Sequence, residues 1–194
     1  MPPLYVSFVA GAAGKWKIET IKAATGETLP CAGFLDIRES SEPNHRAGAP
    51  PQPPPDGWVL RGVVSNLRYT TRAEVEELKS RQEGLGRPAA TRAALIPIRK
   101  SEAWWALSQD ERRRIFEEQS RHTTLGMQYL PAIARRLHHS RELGEPFDFL
   151  TWFEYAPEHI SAFEDLVAQL RQTEEWQYVT REVDIRLSAV QGLE

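Results

Sequence analysis

The 194-residue sequence predicts an α+β protein of the ferredoxin-like kind, and three observations carry that prediction. Short segments with a two-residue apolar period alternate along the chain with segments of helical period. Two capping boxes, at Thr71 to Glu74 and Ser108 to Glu111, mark helix starts between strands. One proline-rich stretch, 40–57, holds six of the 14 prolines and can form neither a helix nor a central strand, so it reads as an exposed linker. These boundaries divide the chain into a truncated N-terminal ferredoxin-like part, 1–39, the linker, 40–57, and a larger C-terminal ferredoxin-like domain, 58–194.

The N-terminal part reads as strands. Residues 4–9 are apolar, Gly11 and Gly14 punctuate a turn, and 15–22 alternates, with Trp16 and Ile18 facing one way and charges between them. A third strand is expected over 33–37. Some 40 residues bury too little core to stand alone, so this part must pack on the rest. In the C-terminal domain, 58–69 suits a strand, and Thr71 opens a helix to about Gln82. Residues 93–99 suit a strand in which Pro97 marks an edge or a bulge. Ser108 opens a helix to about His122. The segment 133–141 pairs as a hairpin with 147–155 across the turn signal at 143–146. Pro157 starts a helix burying Ile160, Phe163, Leu166, Val167 and Leu170, and 179–187 closes the domain by alternation.

Composition narrows the function. Hydrophobic residues at 41% are too many for a disordered chain, and no apolar run approaches the ~20 residues of a membrane helix. A net charge of −3 gives no basic face for nucleic acid. The single cysteine, Cys31, excludes a disulfide within the chain and any multi-cysteine metal site. The first residues read as a strand and not as a secretory signal, so the expected compartment is the cytoplasm.

Four positions combine residue types that do chemistry. His122, seven residues after Ile115, shares a helix face with it and points to the core, where an imidazole can bind metal or haem; from position alone it reads sooner as an ordinary core or surface histidine. Lys100 precedes the adjacent Trp104 and Trp105, donors suited to a carboxylate, or simply a solvated lysine beside packed indoles. Arg135 and Arg136 are neighbours on a strand, so only one can enter a given pocket and hold a small oxyanion. Glu154, in an aromatic strand, needs a partner if it faces inward, such as the N–H of a metal-bound histidine. His138, His139, the arginines 112–114 and Cys31 read as solvated surface and a lone thiol.

Taken together, Ser65-Asn-Leu-Arg-Tyr69, Arg81-Gln-Glu-Gly-Leu-Gly-Arg87, Ile96-Pro-Ile-Arg-Lys100, Trp104-Trp105, Arg121-His122 and Phe147-Asp-Phe-Leu-Thr-Trp-Phe-Glu-Tyr155 resemble the chlorite dismutase family, densely over 58–188 and loosely over 1–39. The chain is similar to the compact branch of that family. The resemblance implies a dimeric α/β barrel that binds haem b in its C-terminal half and converts chlorite to chloride and dioxygen as a homodimer, with neither nucleic acid nor membrane as partner. It implies His122 as proximal iron ligand, Glu154 as acceptor for the other ring nitrogen, and Arg135, thirteen residues past His122, as the distal arginine that holds the anion. Lys100 and Trp104, with Asn66 and Tyr69, would bind the haem propionates. Competing readings are a coprohaem decarboxylase or a peroxidase-like protein of the same superfamily, and a haem-free barrel serving as a binding module.

Overall fold

The computed structural model describes residues 3–41, 53–64, 76, 80–81 and 83–190. Eight strands in these residues close a barrel in the order β1-β3-β2-β8-β5-β7-β6-β4. They are β1 (Tyr5–Gly11), β2 (Trp16–Thr25), β3 (Phe34–Ser40), β4 (Trp58–Val64), β5 (Arg92–Lys100), β6 (Ile133–His139), β7 (Phe149–Tyr155) and β8 (Val179–Ala189). Every pairing is antiparallel.

The barrel is two ferredoxin-like sheets with the same strand order. In the first, β4-β1-β3-β2 is fourth-first-third-second in the sequence of that half, and β8-β5-β7-β6 repeats the order in the second. The halves meet along β2 and β8, paired from Trp16–Ala189 to Thr25–Glu182, and more briefly where Val63 and Val64 of β4 meet His139 and His138 of β6. Only the second half carries its helices in the described residues. Four residues, 12–15, join β1 to β2, whereas the corresponding connection from β5 to β6 holds α1 (Glu102–Ala106), α2 (Gln109–Arg113), a π-helical turn (Arg114–Gln119) and α3 (His122–Gln128). The connection from β7 to β8 holds α4 (Ile160–Arg171) and a 3₁₀ turn (Glu174–Tyr178).

Strand alternation divides the core in two. Val6, Phe8, Leu35, Leu60, Leu95, Leu150, Trp152 and Ile185 fill the barrel interior. Ile96, Ile98, Ile133, Phe149, Phe153 and Tyr155 line the outer face of the second sheet, where Phe163, Leu166, Val167 and Leu170 of α4 cover them. Those four recur at three- and four-residue spacing, and each contributes roughly 1.5–3 kcal/mol by leaving water.

Several expectations are corrected. β4 is described over Trp58–Val64; the remainder of that expected strand, 65–69, most of the proposed helix from Thr71, and most of the proline-rich stretch lie outside the described residues. Pro97 sits in β5, which is paired on both sides, so it marks no edge; the ladder to β8 steps from Leu95–Ile185 to Ile98–Glu182 across it, which accommodates the missing N–H. The helix expected from Ser108 to His122 is broken. Its capping box is present, but α2 gives way to the π turn after Arg113, and Arg121 adopts a left-handed conformation at φ 52°. His122 therefore begins a helix instead of ending one. His138 and His139 are buried, not solvated. Arg112 is a structural clamp: its guanidinium donates to the carbonyls of Trp104, Trp105 and Leu107 at the C-terminal end of α1.

Candidate active site

The site lies on the outer face of the second sheet, beneath the helices between β5 and β6. The left-handed Arg121 turns the chain so that α3 starts afresh at His122, and Glu117 secures that start by accepting from Thr123 N–H and Thr124 Oγ1, both at 2.8 Å. The far end of α3 is tied to α4 through Tyr129, whose hydroxyl donates to Asp165 Oδ2 at 2.5 Å and accepts from Gln169. Burial and the Asp165 carboxylate push the Tyr129 phenol up to about 12, so the tie stays protonated.

The His122 ring stacks on Phe116 at 4.5 Å between centroids and lies 2.7 Å, through Nδ1, from Glu175 Oε2. The other oxygen of Glu175, Oε1, accepts from Lys100 Nζ at 2.7 Å. Ser120 Oγ accepts from the Glu175 backbone N–H, which fixes the 3₁₀ turn beside the histidine. Burial would raise the Glu175 carboxyl, but the Lys100 ammonium and His122 outweigh it and hold the group at about 2. Glu175 is thus an anion that can only accept. The N–H at Nδ1 of His122 then faces Glu175, which leaves Nε2 as the ring nitrogen outside this contact.

This arrangement corrects two expectations. Glu175, not Glu154, is the carboxylate against His122. Glu154 accepts from Gly86 N–H at 2.6 Å and from Trp152 Nε1 at 2.8 Å. On β7 it shares the inward parity of Leu150 and Trp152, while Phe149, Phe153 and Tyr155 face the helices, so the sheet itself separates Glu154 from His122. Lys100 does not present its charge to a bound group: it is 3% exposed, engaged by Glu175, and lies over the Trp104 ring at 4.2 Å. Trp104 is equally buried and packs against Tyr178. Trp105 points elsewhere, donating to Asp148 and stacking on Phe149. Asn66 and Tyr69 lie outside the described residues.

The two arginines of β6 part as strand alternation requires. Arg135 shares the helix-facing side with Ile133 and Leu137, and its guanidinium lies against Gly126 of α3. Burial draws its pKa below the ordinary guanidinium value, with the Glu117 carboxylate opposing, and it remains cationic. Arg136 turns to the barrel side and pairs with Glu39 of β3. The site thus places on one face of one sheet an imidazole with an engaged Nδ1, a buried carboxylate and ammonium behind it, and a cation on β6. An imidazole whose second nitrogen is held by a carboxylate is one donor arrangement that suits an axial ligand of a haem iron. Within the described residues no cluster of three acidic, histidine or cysteine side chains suits a bare metal ion. No helix in the described residues is long and apolar enough to cross a membrane.

Comparison with known proteins identifies the family. A sequence profile described as chlorite dismutase matches residues 56–190. A chlorite dismutase of Ideonella dechloratans is 29% identical over 124 residues, a match spanning 63% of this chain and 41% of the relative's length. The crystal structure of a dimeric chlorite dismutase from Nitrobacter winogradskyi is 55% identical, with a TM-score of 0.85 over 95% of this chain and 99% of the other. A chlorite dismutase from Candidatus Nitrospira defluvii, solved with imidazole, shares the fold at 22% identity and a TM-score of 0.67, over 96% of this chain and 91% of the other.

Proposed function

This chain belongs to the chlorite dismutase family, and on that premise we propose that it is a haem b enzyme that converts chlorite into chloride and dioxygen. The observation that carries the reading is the chain from Lys100 through Glu175 to His122, with contacts of 2.7 Å on both sides of the carboxylate. It leaves Nε2 of His122 as the nitrogen for an axial bond. Haem, when bound, supplies the redox centre at which the oxygen atoms of one chlorite are joined and chloride is released.

The protein's own residues would contribute three things. Glu175 accepts the Nδ1 proton of His122, fixes the ring's tautomer and makes its other nitrogen a stronger donor. Lys100 holds Glu175 ionised and in place from behind, a positioning role at one remove from the iron. Arg135 would hold the chlorite anion by charge-assisted hydrogen bonds that need no proton transfer, in surroundings where little water competes. Trp104 remains a proposed neighbour of the haem propionates.

We further propose a homodimer. The dimeric chlorite dismutase from Nitrobacter winogradskyi is similar over nearly its whole length, and the connection of the first sheet over 12–15 holds no helix. A two-fold pairing of the chain would cover the face of that sheet that this connection does not cover. Light scattering of the purified protein should give twice the chain mass of 22.1 kDa.

The test of function is direct. The purified chain should show a Soret band, His122→Ala should abolish most of it, and an oxygen electrode should record one dioxygen per chlorite consumed. A chain that loads haem through His122 yet evolves no dioxygen from chlorite would refute the activity and leave the haem site standing.

A further inference from the structure

Gly126 lies one turn beyond His122, so the two residues occupy the same face of α3. It is buried, and its backbone is helical, so the freedom of glycine to adopt left-handed angles is not what it supplies. What it supplies is space. A Cβ at position 126 would stand 2.6 Å from Arg135 Nη1, 3.0 Å from Cζ and 3.1 Å from Nη2, so the face of the guanidinium rests where a side chain would be. Both ends of α3 are fastened, by Glu117 to Thr123 and Thr124 and by Tyr129 to Asp165. The guanidinium is the end of a flexible side chain. With any side chain at 126, Arg135 must move, because the helix is held.

We propose that Gly126 is a positioning residue that sets where the Arg135 guanidinium sits, so that a single short helix fixes both the imidazole at its start and the arginine that faces the anion. This rests on the reading above that Arg135 holds the anionic substrate. It makes the residue at 126 a determinant of anion affinity without contact between that residue and the anion.

The holoprotein tests this with cyanide as the distal ligand, titrated by the shift of the Soret band, in the parent, Gly126→Ala, Arg135→Ala and the double variant. Alanine is a better helix former than glycine, so Gly126→Ala should fold with an unchanged or raised thermal midpoint and a full complement of haem. Its cyanide affinity should fall about tenfold, as for partial loss of a charge-assisted hydrogen bond. In the Arg135→Ala background the same change should have no further effect on affinity, because the group it displaces is gone. The midpoint should also rise more there than in the parent background, which tests the contact without reference to haem. Gly126→Ser, with the same Cβ, should repeat the affinity loss.

Parental cyanide affinity in haem-replete Gly126→Ala would overturn the proposal, as would independent, additive losses in the double variant. Haem loss from Gly126→Ala in both arginine backgrounds would also overturn it, by showing that the glycine makes room for the cofactor itself. A parent chain with no Soret band would instead refute the proposed function, leaving the difference in midpoints to decide the Gly126–Arg135 contact.

Discussion

His122 and Glu175, 53 residues apart, meet at 2.7 Å through Nδ1 and Oε2, and the carboxylate that holds the imidazole is itself held by a buried lysine. Three charges or potential charges thus share one small volume. The carboxylate is the middle member, and it has no third oxygen to spare for a competitor. Changing it alters two partners at once: the histidine loses an anion that strengthens its other nitrogen, and the lysine loses its counter-charge.

Glu175→Gln should therefore raise the ferric/ferrous potential of the haem-loaded protein. A neutral amide draws less of the Nδ1 proton, so the imidazole donates less and the oxidised iron is less favoured. A rise of ~60 mV corresponds to a tenfold shift in a one-electron equilibrium and is the order expected. Spectroelectrochemistry of Glu175→Gln and Glu154→Gln side by side decides the matter. If the Glu154 variant moves the potential and the Glu175 variant does not, the contact read here has no electronic consequence.

The Lys100–Glu175 pair should behave as a buried ion pair and not as a surface one. Their side chains are 1% and 5% exposed. Removing one member strands a charge in the interior, a loss of about 3–5 kcal/mol, whereas replacing both with apolar groups of similar volume is often neutral. Lys100→Met should lower the free energy of unfolding in urea by that order, and adding Glu175→Leu should recover most of it. A single-variant loss under ~1 kcal/mol, the range of exposed pairs, would mean that water reaches Glu175 when Lys100 is gone.

Much of this architecture is legible in residue patterns because period and face are local properties. The hairpin of β6 with β7 follows from the turn signal at Leu143 to Pro146, although 133–141 is ambiguous by period, and strand alternation separates Arg135 from Arg136. Applied to Glu154 it would have served equally well: Glu154 has the parity of Trp152, and so turns into the barrel, away from a histidine carried by the helices. Glu175 was not legible. It follows another glutamate in a 3₁₀ turn, its neighbour Glu174 is exposed, and nothing local says which of the two is buried 53 residues from its partner. The break before His122 was hidden for a different reason. A π turn keeps a helix-like composition while shifting the phase, so the Ile115–His122 spacing looks continuous when it is not.

His138 should make the fold acid-sensitive in a defined window. Burial lowers its pKa to about 4, despite the Leu150 carbonyl 3.0 Å from Nδ1, and it packs edge-on against Phe8 inside the barrel. The native imidazole is neutral where the unfolded one, near 6.5, begins to take a proton. The unfolded state therefore binds more protons as pH falls from about 6.5 to about 4, and stability declines through that window by up to about 3 kcal/mol. Glu175, held at about 2, gives up its own contribution lower, as pH falls from about 4.5. Urea unfolding at a series of pH values should show the upper decline in the parent and lose it in His138→Gln. Equal slopes between pH 6.5 and 4 in the two proteins would remove His138 as the cause.

Arg135 and Arg136 offer the sharpest comparison, because adjacent residues of equal charge differ in face. Arg136 pairs with Glu39, which is about half exposed, so its loss leaves a carboxylate that water can solvate. Arg136→Ala should cost at most about 1 kcal/mol of stability and leave turnover of chlorite near the parent value. Arg135 lies among the helices on the face that carries His122, and its guanidinium is mostly withdrawn from water. A charge-assisted hydrogen bond lost there is worth ~1.5–3 kcal/mol, or roughly ten- to a hundredfold in rate if it is fully used in the transition state. A less firmly held anion also gives a reactive chlorine oxide more chance to escape, so Arg135→Ala should release more hypochlorite and inactivate sooner. The measurements are initial dioxygen release, total turnovers before inactivation, and hypochlorite captured by a scavenger, for both alanine variants. A normal rate with early inactivation in Arg135→Ala would show that the arginine retains the intermediate without speeding its formation. Leakage from Arg136→Ala, with parental behaviour in Arg135→Ala, would place the working cation on the barrel side of β6 and contradict the face assignment on which the proposed chemistry depends.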